Sequence, residues 1–489
     1  MGPDKPTAVP GELRASIALL TLSLLVLIPY QVPGLQRLRL LSPLPEGSSL
    51  LAATPAVGEM VIAEDPPAPA ESALPQGGEA VPPPVSGGAE QPRRAAPPSA
   101  PAALDATLER GSPSPMVDPS GRALDAFFQS LAAVEARRAS APAARVTYWG
   151  DSTIVSDYIT GALRRKLQAR FGDAGHGFLL MANAFPLYSH DGVERISAGG
   201  WSASRVVGPL APDGLYGFGG VVFHSSGGPA FSRFSTAKTG ELGRSVSRVV
   251  VDYLEHTEGG RLEVRIDGEL REEIDTRAPT TRGAARTYRV PDGPHTLELR
   301  PRGPGVRAFG ISLERDAPGV IVDSIGIPGC SMSEIDRIDD AHFREQLQLF
   351  RPSLAVFHYG MNEVVGTTEE SQDRYAAANK AVITQVRAAL PDASCLLVSP
   401  MDRVSGASAR MAAVQRKVAA ESGCAFWDLY AAMGGAGSMT RWADRGLSQP
   451  DRVHPSSAGA ELLATWIDRA LMEAYDAYKT KAAGAPPRD

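Results

Sequence analysis

Four short segments of the sequence carry side chains suited to acyl transfer. Gly150-Asp151-Ser152 closes a short apolar run, RVTYWGDS, and is followed by DYITGALRRKLQARF, an amphipathic helical pattern. A serine on a strand-to-helix turn points outward with its backbone N–H free, so Oγ can attack an acyl carbon while the amide donates to the oxyanion. Alone, the tripeptide reads equally well as a helix N-cap. Ile327-Pro328-Gly329-Cys330-Ser331 follows the strand pattern VIVDS. Gly329 permits close approach of a ligand and offers its N–H to an oxyanion hole. Gly326 competes for that role, and by itself the segment is a turn. Tyr359-Gly360-Met361-Asn362-Glu363 follows LAVFH, and the Asn362 amide could supply a third donor. Asp451-Arg452-Val453-His454-Pro455 precedes the last helical segment. Imidazole titrates near neutrality, which suits His454 to general-base work, and Asp451 would hold its tautomer and favour its charged form. The plainer alternative is a surface ion pair at a helix start.

Other side chains read as structural. His358 and His224 sit in strand patterns as satisfied core or surface histidines. Asp157, one helical turn past Ser152, fits a capping or surface role better than one orienting the serine loop. Cys330 lines the proposed oxyanion segment. Cys395 and Cys424 open what read as neighbouring strands and are expected as two buried thiols, with a disulfide the alternative. Trp149 and Trp201 are packing residues rather than sugar platforms.

The elements needed to position these groups are visible. LDAFFQSLAAVEARR has helical spacing, and RVTYWGDS with the helix after it opens a βαβ unit. From residue 199 to 318 the texture changes to short alternating runs (GVVFHSS, SRVVVDYLEH, RLEVRIDGEL, RTYRV, HTLELRPR, VRAFGISLER) separated by turn residues, the pattern of an antiparallel β-sandwich. The α/β texture returns with GVIVDSIGI, SLAVFHYG, ASCLLVSP and CAFWDLY, joined by helical segments. The last helix follows His454 with Ser456 or Ser457 as N-cap. One α/β domain, 121–198 plus 319–480, is thus interrupted by a β-insert at 199–318. All four chemical segments fall at the carboxyl ends of its strands or on the loops beyond them, where open α/β sheets build sites.

The 489 residues exceed one typical domain, and the 41 prolines and 49 glycines are unevenly spread. A net charge of −6 argues against a nucleic-acid partner, since no basic stripe exists to replace phosphate counterions. The 3 cysteines lack metal-ligand spacing and are too few for a disulfide scaffold. After a tail at 1–14, residues 15–28 (ASIALLTLSLLVLI) form an uncharged run that, extended to 35, has the length of a membrane span. No A-x-A site follows, which favours an anchor over a cleaved signal. Its flanking charges do not settle orientation. Residues 36–120 are dominated by Pro, Ala, Gly and Ser, the composition of an extended tether. Residues 481–489 read as a C-terminal tail.

GDS, a later glycine, G-x-N and D-x-x-H, in that order, resemble the SGNH or GDSL hydrolase superfamily. The resemblance implies a three-layer α/β/α, flavodoxin-like parallel sheet, with Ser152 as nucleophile, Asp451 and His454 completing a triad, and Ser152, Gly329 and Asn362 forming the oxyanion hole. It implies no metal or organic cofactor. WGDST, the helix after it and a β-insert ahead of the glycine segment are similar to the bacterial peptidoglycan O-acetylesterases, which hold a carbohydrate-binding-like β-domain inside this fold. Thr153 departs from that branch, where many members have histidine. The expectation is an extracytoplasmic, membrane-tethered esterase acting on O-acetyl groups of a cell-wall or extracellular polysaccharide. A polysaccharide O-acetyltransferase with the same triad and a non-catalytic glycan-binding protein are the alternatives.

Overall fold

The structure, a computed structural model, describes residues 114–137, 143–363, 366–403 and 406–484. The expected N-terminal tail, membrane segment 15–35 and linker up to residue 113 lie outside these. Among the described residues no helix is long and apolar enough to cross a membrane.

Strand β1 (Ala144–Gly150) reads ARVTYWG and is buried at every position, as a strand covered on both faces must be. The chain then runs through β2 (Gly175–Leu180), β3 (Val193–Ala198), β4 (Trp201–Arg205), β5 (Val221–Ser226), β6 (Phe231–Thr236) and β7 (Val246–Glu255). It continues with β8 (Arg261–Ile266), β9 (Glu269–Asp275), β10 (Arg282–Gly293), β11 (Thr296–Arg302) and β12 (Pro304–Glu314). It closes with β13 (Val320–Gly326), β14 (Leu354–His358), β15 (Ser394–Val398) and β16 (Ala425–Trp427).

Strands β13-β1-β14-β15-β16 form a sheet whose pairings are all parallel. Numbered along the chain its order is 2-1-3-4-5, the flavodoxin-like arrangement, whose ligand crevice lies where the strand order reverses, between β1 and β14. Alternate side chains face two cores. Val146, Tyr148, Leu354 and Val356 join helices Asp125–Glu135, Tyr158–Phe171 and Ser457–Gly484 on one side. Trp149, Ala355 and Phe357 join helices Asp340–Phe350, Glu369–Ala389 and Ser408–Glu421 on the other. Three layers result.

The insert consists of two antiparallel sheets, β10-β7-β12-β5-β4 with β2 also pairing β12, and β3-β6-β11-β8-β9. Its antiparallel pairing begins at Gly175, earlier than the expected residue 199, because β2 and β3 belong to it. The β8–β9 hairpin turns on Asp267 and Gly268, both at positive φ, as a two-residue turn of the twist-matching kind requires. The insert shares its core with the α/β half: Trp149 meets Phe218 edge-on, and Phe178 meets Phe350. A buried ion network joins them as well. Arg145 at the start of β1 binds Asp323 of β13 with two nitrogens, at 2.7 and 2.8 Å, and Glu314 of β12 at 2.7 Å.

Three expectations are corrected. Residues 114–120 are not part of a free linker: Val117 exchanges two backbone bonds with Phe426, at 2.9 and 2.8 Å, and so covers the open edge of β16. Cys395 and Cys424 form a disulfide rather than two thiols, because the β15–β16 register sets Leu396 opposite Ala425 and brings the cysteine Cα atoms to 4.7 Å. The last helix runs to Gly484, into the expected C-terminal tail at 481–489, and begins after Ser456, whose Oγ accepts from the Gly459 amide at 3.2 Å.

Candidate active site

β1 ends at Gly150, and the chain turns at once through Asp151, Ser152 and Thr153 before helix Tyr158–Phe171. Asp151 points inward, fully buried, and its carboxylate accepts from the Thr153 amide at 3.0 Å and contacts the Met361 amide at 3.4 Å. That inward turn leaves Ser152 facing the crevice. Ser152 is therefore no N-cap; the helix starts six residues later.

His454 reaches Ser152 from the loop before the last helix, its Nε2 2.7 Å from Oγ. Its other ring nitrogen, Nδ1, lies 2.7 Å from Asp451 Oδ2. With Asp451 accepting at Nδ1, the proton sits there and leaves the Nε2 lone pair for the serine hydroxyl. Asp451 is fixed in turn by its own loop, Oδ1 accepting from the amides of Val453 at 2.9 Å and His454 at 3.1 Å. Burial pushes the Asp451 carboxyl up, but the His454 hydrogen bond and these amides outweigh it and hold it below its ordinary value. The pair is not sealed off: the side chains of His454 and Asp451 are 28% and 44% exposed.

The donors for a developing negative charge come from two further turns. Ile327-Pro328-Gly329-Cys330 is closed by the Cys330 amide donating to the Ile327 carbonyl at 3.1 Å, and Gly329 adopts φ +77°, which suits glycine at the third position of such a turn. Gly329 is exposed, and neither its amide nor that of Ser152 has a partner among the described residues. Gly326 is different: a Cβ there would stand 2.2 Å from the Val155 nitrogen, so its smallness lets β13 pack under the serine loop. Asn362 follows β14, and its Nδ2 donates to the Cys330 carbonyl at 2.9 Å, tying the two turns together. An amide nitrogen carries two hydrogens, so one remains for a ligand.

The structure thus joins Ser152, His454 and Asp451 by hydrogen bonds and links Asn362 to the Gly329 turn. Asp157 departs from expectation. It stands at the N-cap position of helix Tyr158–Phe171, but its side chain makes no bond to the helix amides and is no surface group: it is fully buried at φ +56°, with Arg164 Nη2 2.5 Å from its Oδ2, Thr160 Oγ1 donating at 2.5 Å and the Asp191 amide at 2.8 Å. Burial opposes the charged form of Asp157, but Arg164 and its other partners win and lower its pKa to about 2. Trp149, Trp201 and His358 are buried. Sequence reasoning passed over Asp151, Arg164 and Glu363 as contributors. Asp151 lies within GDS and Glu363 directly follows G-x-N, whereas Arg164 lies seven residues past Asp157; the burial that matters for all three is not visible in the sequence.

Residues 290–462 match the GDSL-like Lipase/Acylhydrolase family. The match includes Gly329, Asn362, Asp451 and His454 and leaves Ser152 outside, on the far side of the insert. No curated protein matches the sequence. Among solved structures, a peptidoglycan O-acetylesterase superposes with a TM-score of 0.62 at 21% identity, over 74% of this chain and 99% of its own. A lipase/acylhydrolase from Enterococcus faecalis aligns over 32% of this chain and 77% of its own, at 21% identity and a TM-score of 0.25. A family two carbohydrate esterase from Clostridium thermocellum aligns over 57% and 98%, at 12% identity and a TM-score of 0.23. The chain resembles the SGNH acylhydrolases, and in fold the peptidoglycan O-acetylesterase.

Proposed function

We propose that this chain is a serine esterase that removes O-acetyl groups from a cell-wall or extracellular polysaccharide such as peptidoglycan. The observation that carries the reading is the unbroken path from Ser152 Oγ through both nitrogens of His454 to Asp451, beside unpartnered amides at Ser152 and Gly329. His454 Nε2 takes the hydroxyl proton as Oγ bonds to the acetyl carbon. The carbonyl oxygen becomes an oxyanion held by the Ser152 and Gly329 amides and the second Asn362 hydrogen. Each such donor contributes about 3–4 kcal/mol to the transition state. Collapse expels the sugar oxygen, which takes the proton from His454. Water, deprotonated by the same imidazole, then releases acetate from Ser152.

The polysaccharide assignment draws on the fold likeness to a peptidoglycan O-acetylesterase. Placement outside the cytosol, tethered through residues 15–35, draws on the apolar run there and on the Cys395–Cys424 disulfide, a bond that persists in oxidising compartments. The test is acetate release from a panel of O-acetylated polymers, with p-nitrophenyl acetate as a general ester. S152A is expected to lose kcat by about three to six orders of magnitude. Equal turnover by wild type and S152A would overturn the reading. Transfer of acetyl to an added acceptor glycan in preference to water would make the protein a transferase instead.

A further inference from the structure

Directly after Asn362 stands Glu363, and neither of its carboxyl oxygens, both inaccessible to solvent, has a hydrogen-bond partner among the described residues. Asp151, the residue just before Ser152, is buried as well. The two carboxyls are treated unequally. Asp151 has the Thr153 amide at 3.0 Å and the Met361 amide at 3.4 Å to hold a negative charge. No donor of that geometry serves Glu363. A desolvated carboxyl without a well-placed donor keeps its proton in preference to one held by backbone amides.

The other groups around Glu363 offer no compensating charge. Glu334, on helix Met332–Ile335, is itself acidic and is engaged with Ser331. Cys330, Tyr359 and Tyr375 are pushed up by burial and stay neutral. Arg403 spends a nitrogen on the Met361 carbonyl. Burial, and then the charge of Asp151, raise the Glu363 carboxyl to about 7, against a smaller opposing pull from the amides of Glu363 itself and Met332.

We propose that Glu363 is a positioning residue whose neutral, protonated form keeps the Asn362 turn competent, and whose ionisation puts a second buried negative charge beside the oxyanion donors and switches the site off. The proposal rests on the esterase reading for its consequence, and on the buried, unpartnered carboxyl oxygens of Glu363 for its chemistry. It assigns the alkaline limit of activity to Glu363.

The experiment is the pH dependence of kcat for wild type, E363Q and E363A, with S152A as background and thermal midpoints taken at each pH. Wild type is expected to pass through a maximum and then lose about tenfold in kcat for each pH unit above the midpoint, as a single essential proton dictates. E363Q, neutral at every pH, keeps the acid limb and loses the alkaline one. E363A lowers kcat across the whole range. Identical alkaline limbs in wild type and E363Q, a wild type without such a limb, or a decline that follows the thermal midpoint would each overturn the proposal. Infrared difference spectra of wild type against E363Q read the protonated carboxyl without any turnover. A carboxylic-acid band present in slightly acidic solution and lost on raising the pH supports the proposal; its absence refutes it. Should S152A hydrolyse as fast as wild type, the esterase reading falls, and the infrared band alone decides the state of Glu363.

Discussion

Two groups of charged side chains flank Ser152, and they are built on opposite plans. On one side, His454 and Asp451 stand on a partly solvated loop and are held by three local contacts. On the other, Asp157 and Arg164 are sealed, their side chains 0% and 3% exposed, with every oxygen of Asp157 engaged. The difference separates two tasks. A group that gives and takes a proton in each cycle needs a pKa near the working pH and access for the leaving group. A group that fixes backbone geometry works best when its charge cannot change, and burial beside a guanidinium locks it. The Asp157 network also holds more than the serine loop. Arg164 donates to the Val322 carbonyl at 3.2 Å and the Asp191 carbonyl at 3.1 Å, so strand β13, the loop before β3 and the helix after Ser152 meet at one point.

The comparison breaks most visibly at His454. H454A is expected to lose kcat by about three to six orders of magnitude while its urea midpoint stays near that of wild type, because a half-solvated loop residue carries little of the fold. D451N should lose less, at most about 10⁴-fold, since the imidazole keeps its place on the loop but is offered the wrong tautomer. Kinetics with p-nitrophenyl acetate and denaturation curves on the same preparations measure both. An H454A enzyme within tenfold of wild type would remove the chemical half of the contrast.

R164M is the converse. It leaves every group of the proposed mechanism in place and strands the Asp157 carboxylate without its partner. Removing one member of a buried pair typically destabilises by about 3–5 kcal/mol. Urea unfolding should show that loss, and kcat measured well below the new thermal midpoint should fall far less than in H454A. A stability equal to that of wild type would mean that Asp157 takes up a proton at little cost and that the network is ornamental.

How much of this was readable in the sequence follows the same division. Ser152, Gly329, Asn362, Asp451 and His454 sit at strand ends or on loops, where local chemistry and order along the chain were enough to group them. The parallel sheet was legible because its strands are unbroken apolar runs, and the insert because most of its strands alternate. What stayed hidden depends on pairing between distant segments. β2, GHGFLL, carries two glycines and is buried at every position, so it shows no alternation to mark it as part of the insert. The disulfide needed the β15–β16 register. Val117 looked like linker because its strand partner, Phe426, is about three hundred residues away. The burial of Asp157 stayed hidden because its partner lies two helical turns on, and nothing in the residue types reveals that the space between them is dry.

The smallest expected effect is a slope. His176 and His190 are buried and meet edge-on with ring centroids 5.7 Å apart. Both nitrogens of His190, and Nδ1 of His176, lack partners among the described residues, and Asp157 Oδ2 stands 3.9 Å from His190. Burial, reinforced by the nearby Arg164 charge, lowers His176 to about 4 and His190 well below its ordinary 6.5. Folded-state values below the unfolded one mean that acid favours the unfolded chain. The stability is intact above pH 6.5 and is lost as the pH falls towards 4, by about 1.4 kcal/mol per pH unit for each histidine. The carboxyls of Asp151, Asp252 and Glu363, raised by burial, act in the opposite direction, so the raw curve understates the effect. The clean quantity is the difference between wild type and H176N/H190N in urea midpoint from pH 7 to 5, which should narrow as the pH falls because the asparagines have no proton to take up. A constant difference would show that the histidines already share a proton with Asp157.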